Sequence, residues 1–189
     1  MSIIVAFDLG SREAGCVVLV DGVVERTYQW KWQKPEWAIK KDQELFHRLN
    51  GFRIWTNECF GFLDRKAELT VAVEEPYMGQ PRAALVLGQV LGMLRDVLLD
   101  HWDSHWAMMP ILVQSSEAAV ALTGQGQHPK GERKAAMMAA ARMQFPCHEW
   151  NEHTADALGV ALAAAAKLKL DAAEAQAQAE PNTGAPQSL

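Results

Sequence analysis

Three places in this sequence carry side chains that could hold a cation or move a proton. Asp8 ends the apolar run "SIIVAFD", and Glu74 and Glu75 end "TVAVEE". His153 and Asp156 fall three residues apart in "NEHTADALG", which puts them on one face of a helix built there. A charge where a buried strand ends is costly unless it is paired or holds a cation. Carboxylates gathered within a few ångströms repel one another and at neutral pH require divalent cations between them. Oxygen donors suit Mg²⁺ or Mn²⁺ rather than zinc. Two such ions about 4 Å apart are a device for in-line attack on a phosphodiester. Cys147, His148 and His153 fit no standard zinc spacing.

Each residue alone has a plainer role. Asp8 before Gly10 can bond its own turn, and Glu75 before Pro76 can be a solvated loop carboxylate. Asp156 can answer a helix dipole, and a lone histidine is more often a satisfied surface group. Alternation sends Glu74 and Glu75 to opposite faces of their strand. A central strand is covered on both faces, so alternation does not choose between them. What favours chemistry is their joint occurrence at strand ends and on one helix face.

The elements that would position these groups can be read in order. "SIIVAFDLG" is a first strand; "AGCVVLV" (Ala14–Val20) and "VVERTYQWKW" (Val23–Trp32) flank Asp21-Gly22, a two-residue hairpin signal. A helix is expected from Pro35-Glu36-Trp37, with apolar residues at helical spacing through Phe62. Val71–Glu74 is a fourth strand, Pro81–His101 a long helix, and Pro110–Gln114 a fifth strand. Ser115 or Ser116 caps a short helix through Leu122. Glu132–Met143 is the next helix, and the last starts near Asn151 as its cap. Three antiparallel strands followed by strands alternating with helices predict an α/β fold. It would be a mixed five-stranded sheet, three strands antiparallel and then two parallel, with helices on both faces. That is the ordering of the RNase H-like fold.

Length and composition bound the function. The chain has 189 residues, 49% hydrophobic, with net charge -5, which suits one globular domain over residues 1–170. Residues 171–189 form a low-complexity acidic tail expected to be disordered beyond a frayed helix. Removing the tail's three acids from the 23 in the chain leaves 20 against 18 Lys and Arg, so the rest is close to neutral. No apolar run reaches membrane-spanning length, and "MSIIVAFD" lacks a signal peptide's basic region, so a cytoplasmic protein is expected. The three widely spaced cysteines point to reduced thiols rather than a disulfide framework.

Four segments together resemble the RuvC family of Holliday-junction resolvases. "IVAFDLGSREAGCVVL" resembles its opening strand and Asp-x-Gly-Ser turn. "VAVEEPYMGQPRAALVLGQVLGML" is similar to its second acidic strand and the helix after it. "ALTGQGQHPKGERKAAM" resembles the Gly-x-Gly-x-x-x-Lys loop, with Lys130 in the lysine position. "HTADALGVALA" is similar to the closing acidic helix. Residues 30–69 and the tail carry no such match.

The resemblance implies metal binding by Asp8, Glu74, His153 and Asp156, with Mg²⁺ or Mn²⁺ as cofactor and two ions in each site. It makes Glu74 the working acid and Glu75 a neighbour on the rim. It implies a homodimer that cuts a four-way DNA junction by paired nicks, leaving 5′-phosphates and 3′-hydroxyls. His153 would ligate or carry a proton, since its charge changes near working pH, and Lys130 would offset charge on the scissile phosphate. Tyr77 falls where the family carries an aromatic that stacks on an unpaired base; a packing role is equally open to it. The chain is less basic than expected of the family, but Lys66, Arg82, Arg95, Lys130, Arg133, Lys134 and Arg142 could line a groove for phosphates. The tryptophans at 30, 32, 37 and 55 read as core or dimer contacts. Competing functions are a junction-binding scaffold without chemistry, a broader fork and flap nuclease, and an actin-like phosphotransferase. The last lacks the further Gly-rich phosphate loops it would need.

Overall fold

The computed structural model describes residues 1–10, 12–34, 41–63, 68–75, 81–101, 109–129 and 131–179. Five strands form one sheet: β1 (Ser2–Leu9), β2 (Glu13–Val20), β3 (Val23–Lys31), β4 (Glu68–Glu74) and β5 (Ile111–Val113), in the order β3-β2-β1-β4-β5. The β1–β2 and β2–β3 pairs are antiparallel, and β4 runs parallel to both β1 and β5. This is the predicted mixed sheet. Asp21 and Gly22 join β2 to β3 with φ of 50° and 84°, the left-handed pair that lets a two-residue turn follow the strands' twist.

The helices are α1 (Lys41–Phe60), α2 (Pro81–His101), α3 (Ser115–Thr123), α4 (Arg133–Gln144) and α5 (Glu152–Ala179). β1 lies at the sheet's centre and is apolar on both faces. Ile3, Val5 and Phe7 pack with α1 and α2, whereas Ile4 and Ala6 pack with α3, α4 and α5. Trp30 and Trp55 are buried in the first of these cores, each edge-to-face or tilted against Phe52 with ring centres 5.5 Å apart. They are core residues, while Trp37 lies outside the described residues.

Several expected boundaries moved, and one is untested. The Pro35 helix start lies outside the described residues. β4 begins at Glu68 because its pairing with β1 extends back to Ser2. β5 is three residues long because Gln114 leaves the strand to cap α3. The Gln114 backbone N–H donates to the Glu117 carboxylate at 2.9 Å, so the cap is Gln114 rather than Ser115 or Ser116. The α5 start is as expected: Asn151 accepts from the Thr154 backbone N–H at 3.0 Å, and its own N–H donates to the Thr154 hydroxyl at 3.0 Å. Residues 171–179 continue α5, and residues 180–189 lie outside the described residues.

Candidate functional site

Phe7 pairs with Val73 across the parallel β1–β4 ladder, so Asp8 and Glu74 end adjacent strands side by side. Alternation from Ala6 and Ala72 turns both carboxylates toward the α3–α4–α5 layer. This separates the two glutamates. Glu74 is largely buried beside Asp8, while Glu75 is exposed and its backbone N–H ties it to the Val113 carbonyl at 2.8 Å.

The N-terminal turns of α5 cross the sheet beside Asp8, and one glycine permits the approach. Gly15 is the cross-strand partner of Asp8, and a Cβ there would lie 2.3 Å from both the backbone carbon and oxygen of His153. Gly15→Ala therefore forces backbone against backbone and lifts the residue pair His153–Asp156 away from the strand ends. The expected result is a loss of about 3 kcal/mol, a fall in melting temperature of roughly 6–12 °C. Thermal unfolding checks it; an unchanged melting point would mean that α5 does not sit this close.

A histidine and an arginine are set among the carboxylates. His153 faces Asp8 through Nδ1 at 2.6 Å and Glu13 through Nε2 at 3.2 Å, and Glu13 in turn pairs with Lys31 at 2.9 Å. Acceptors at both ring nitrogens favour the imidazolium form, in which both nitrogens donate. The Asp8 bond accordingly pushes the His153 pKa up, against the opposing effect of burial. The Lys31 ammonium bonded to Glu13 holds that carboxyl below its usual range. Arg133, in the first turn of α4, reaches the other two acids. Its Nη2 lies 3.4 Å from Asp156 Oδ1 and 3.8 Å from Glu74 Oε1, and its Nη1 donates to the Ser115 carbonyl at 3.4 Å.

This compensation is incomplete. Burial, and then the negative charge of Asp8, push the Glu74 carboxyl up to about 7 despite a hydrogen bond from Ser115. Burial and Asp8 also raise Asp156, although Arg133, Lys134 and His153 pull it down. Three carboxylates with a shortage of positive charge and all-oxygen donors are chemically suited to a hard divalent cation. Among the described residues, no three His, Cys, Asp or Glu side chains stand converged as the ligands of a metal ion.

Of the residues singled out in the sequence, Asp8, Glu74, His153 and Asp156 come together. Arg133 joins them, and Lys134 sits beside them in an ion pair with Glu152. Arg142 is turned elsewhere, donating to the Trp150 carbonyl at 3.4 Å. Tyr77, Lys130 and Lys66 lie outside the described residues, and Arg82 is described only as backbone in the first turn of α2. Glu13, Gly15 and Ser115 are members of the site that sequence reasoning missed. The alternation of β2 was the available signal for the first two, since Glu13 and Gly15 share a face two residues apart.

The fold is similar to that of Thermus thermophilus RuvC in complex with a Holliday junction substrate. The match has a TM-score of 0.66 and 20% sequence identity, covering 89% of this chain and 96% of that one. A second Thermus thermophilus RuvC structure matches with a TM-score of 0.64 and 20% identity, over 89% and 96% of the two chains. No family model and no curated protein sequence matches the chain. The chain therefore has a RuvC-like fold. Among its described residues, no helix is long and apolar enough to cross a membrane.

Proposed function

We propose that this protein is a metal-dependent, structure-selective DNA endonuclease that resolves four-way junctions by paired nicks, acting as a homodimer. One observation carries the reading: Asp8, Glu74 and Asp156 gather, short of positive charge, where two parallel strands end. Similarity to a fold seen with a Holliday junction substrate supplies the substrate class.

Asp8, Glu74 and Asp156 would hold Mg²⁺ or Mn²⁺, and His153 would join them on giving up a proton. Such ions activate water and stabilise charge on a phosphodiester in in-line displacement. The rest falls to the chain's own groups. Asp8 and Glu13 fix the imidazole plane of His153 through its Nδ1 and Nε2. Burial of Glu74 and Asp156 keeps bulk water from screening the site. Lys130 would neutralise phosphate charge, Arg82, Arg133 and Lys134 would contact the DNA backbone, and Tyr77 would stack on a base at the branch point.

The test is incubation with a mobile synthetic four-way junction in Mg²⁺ or Mn²⁺, mapping nicks on all strands. Symmetric paired nicks are expected. Intact junctions, forks and flaps would sink the proposal. A second reading, junction binding without cleavage, is favoured by the Arg133 guanidinium standing at Glu74 and Asp156. It predicts retarded but uncut DNA in the same assay.

A further inference from the structure

Arg133 has an unusual place for a residue expected to contact DNA. Its side chain is two-thirds covered, and its guanidinium is directed into the carboxylate cluster, between Glu74 on β4 and Asp156 on α5. Guanidinium groups do not deprotonate in proteins, so this charge is present at any working pH. The contacts are loose. Charge-assisted bonds between guanidinium and carboxylate close to about 2.7–2.9 Å, whereas these distances are 3.4 Å and 3.8 Å, and the Ser115 carbonyl is also 3.4 Å away. The side chain is thus held by the field of two buried acids and not by a tight fork. A group so held is readily exchanged for a stronger cation.

We infer that Arg133 is a resident counter-cation of the carboxylate cluster, which a divalent ion must displace from Glu74 and Asp156. The inference rests on the metal-dependent reading above and adds to it a competition built into this chain. A dication bound by the same oxygens would stand within a few ångströms of the guanidinium, and like charges at that separation repel strongly away from bulk water. The displaced side chain is one-third exposed already and starts from the first turn of α4. It can turn outward at the mouth of the site, where a phosphate would be its natural partner. Metal loading would in this way convert an internal ion pair into a phosphate-binding group. Lys134 cannot play the same part from its position, because its ammonium is paired with Glu152 on the outer side of α5.

The experiment is Mn²⁺ titration by calorimetry in the absence of DNA, comparing the parental protein with Arg133→Gln and Arg133→Lys. Arg133→Gln should bind Mn²⁺ about tenfold more tightly, in the range of ordinary coupling between two competing ligands. Arg133→Lys, which keeps the charge, should stay close to the parental affinity. In metal-free buffer Arg133→Gln should melt lower than the parental protein, and saturating Mn²⁺ should close that gap. Junction binding in Ca²⁺ should tighten for the parental protein and show a smaller gain in Arg133→Gln. Equal or weaker Mn²⁺ affinity in Arg133→Gln overturns the inference and leaves the nuclease reading standing. A parental protein that binds no Mn²⁺ overturns both. Should Arg133→Gln fail to fold, a tenfold drop in Mn²⁺ affinity for Arg133→Lys would also refute the inference.

Discussion

Asp8→Asn is expected to reduce junction cleavage by about a thousandfold or more while leaving junction binding nearly unchanged. The substitution keeps the shape of the side chain and removes its charge. A metal-assisted phosphodiester cleavage draws several kcal/mol of transition-state stabilisation from its cations, and each 1.36 kcal/mol is about tenfold in rate. Asp8 has a second task, since its Oδ2 lies 2.6 Å from His153 Nδ1 and orients the ring. An asparagine oxygen can still accept that bond, so the loss reports charge more than geometry. Asp156→Asn should behave in the same way, because Asp156 is the most buried of the three acids. Single-turnover cleavage and gel-shift binding in Ca²⁺ separate the two effects. Cleavage within tenfold of the parental rate in Asp8→Asn would remove this residue from the mechanism.

The second large effect concerns Glu74 and is visible without any DNA. Burial and the nearby Asp8 raise its carboxyl from an ordinary value of 4.5 to about 7. A raised pKa in the folded state means that folding binds a proton. The stabilisation is therefore complete below the ordinary carboxylate range and is lost as pH rises toward 7. Asp156 and His153, also raised in the folded protein, act with the same sign. For Glu74 the loss is on the order of 3 kcal/mol between pH 4.5 and 7. In a chain of this size that is a fall in melting temperature of roughly 6–12 °C.

The metal-free protein should thus melt lower at pH 8 than at pH 5. Glu74→Gln should flatten that dependence and melt higher than the parental protein at pH 8, although it abolishes cleavage. Divalent cations should raise the parental melting point far more at pH 8 than at pH 5, since they bind the ionised, folded cluster. Glu75→Gln, at an exposed position, should keep most of the cleavage activity. Melting curves with an unchanged pH slope in Glu74→Gln would show that Glu74 does not carry this proton. Stronger loss of cleavage in Glu75→Gln would invert the register of the strand.

Much of the scaffold was legible in the chain. β1 reads as buried because five consecutive apolar residues, Ile3 to Phe7, leave it no polar face. The β2–β3 turn is written in Asp21-Gly22, a pair that tolerates positive φ. Asn151 announces the start of α5, and with that start the three-residue spacing puts His153 and Asp156 on one face. Less visible was the cap of α3. A serine is the usual capping residue, but here Glu117 reaches back to the Gln114 backbone, and the cap falls one residue before the first serine.

The sequence by itself determined the succession of strands and helices along the chain, the helix periods and the positions at which acids end strands. These depend on local geometry, on alternation and helical spacing that neighbouring residues set among themselves. The resemblance chose Glu74 over Glu75 and alternation alone did not; the physical ground for that choice is tertiary, in the pairing of Phe7 with Val73 and in which face α5 covers. Only the tertiary structure turned Arg133 inward between Glu74 and Asp156, and placed Glu13 and Gly15 around His153. Charge and burial act through space, across 145 residues in the case of Asp8 and His153. No pattern along the chain records such a distance.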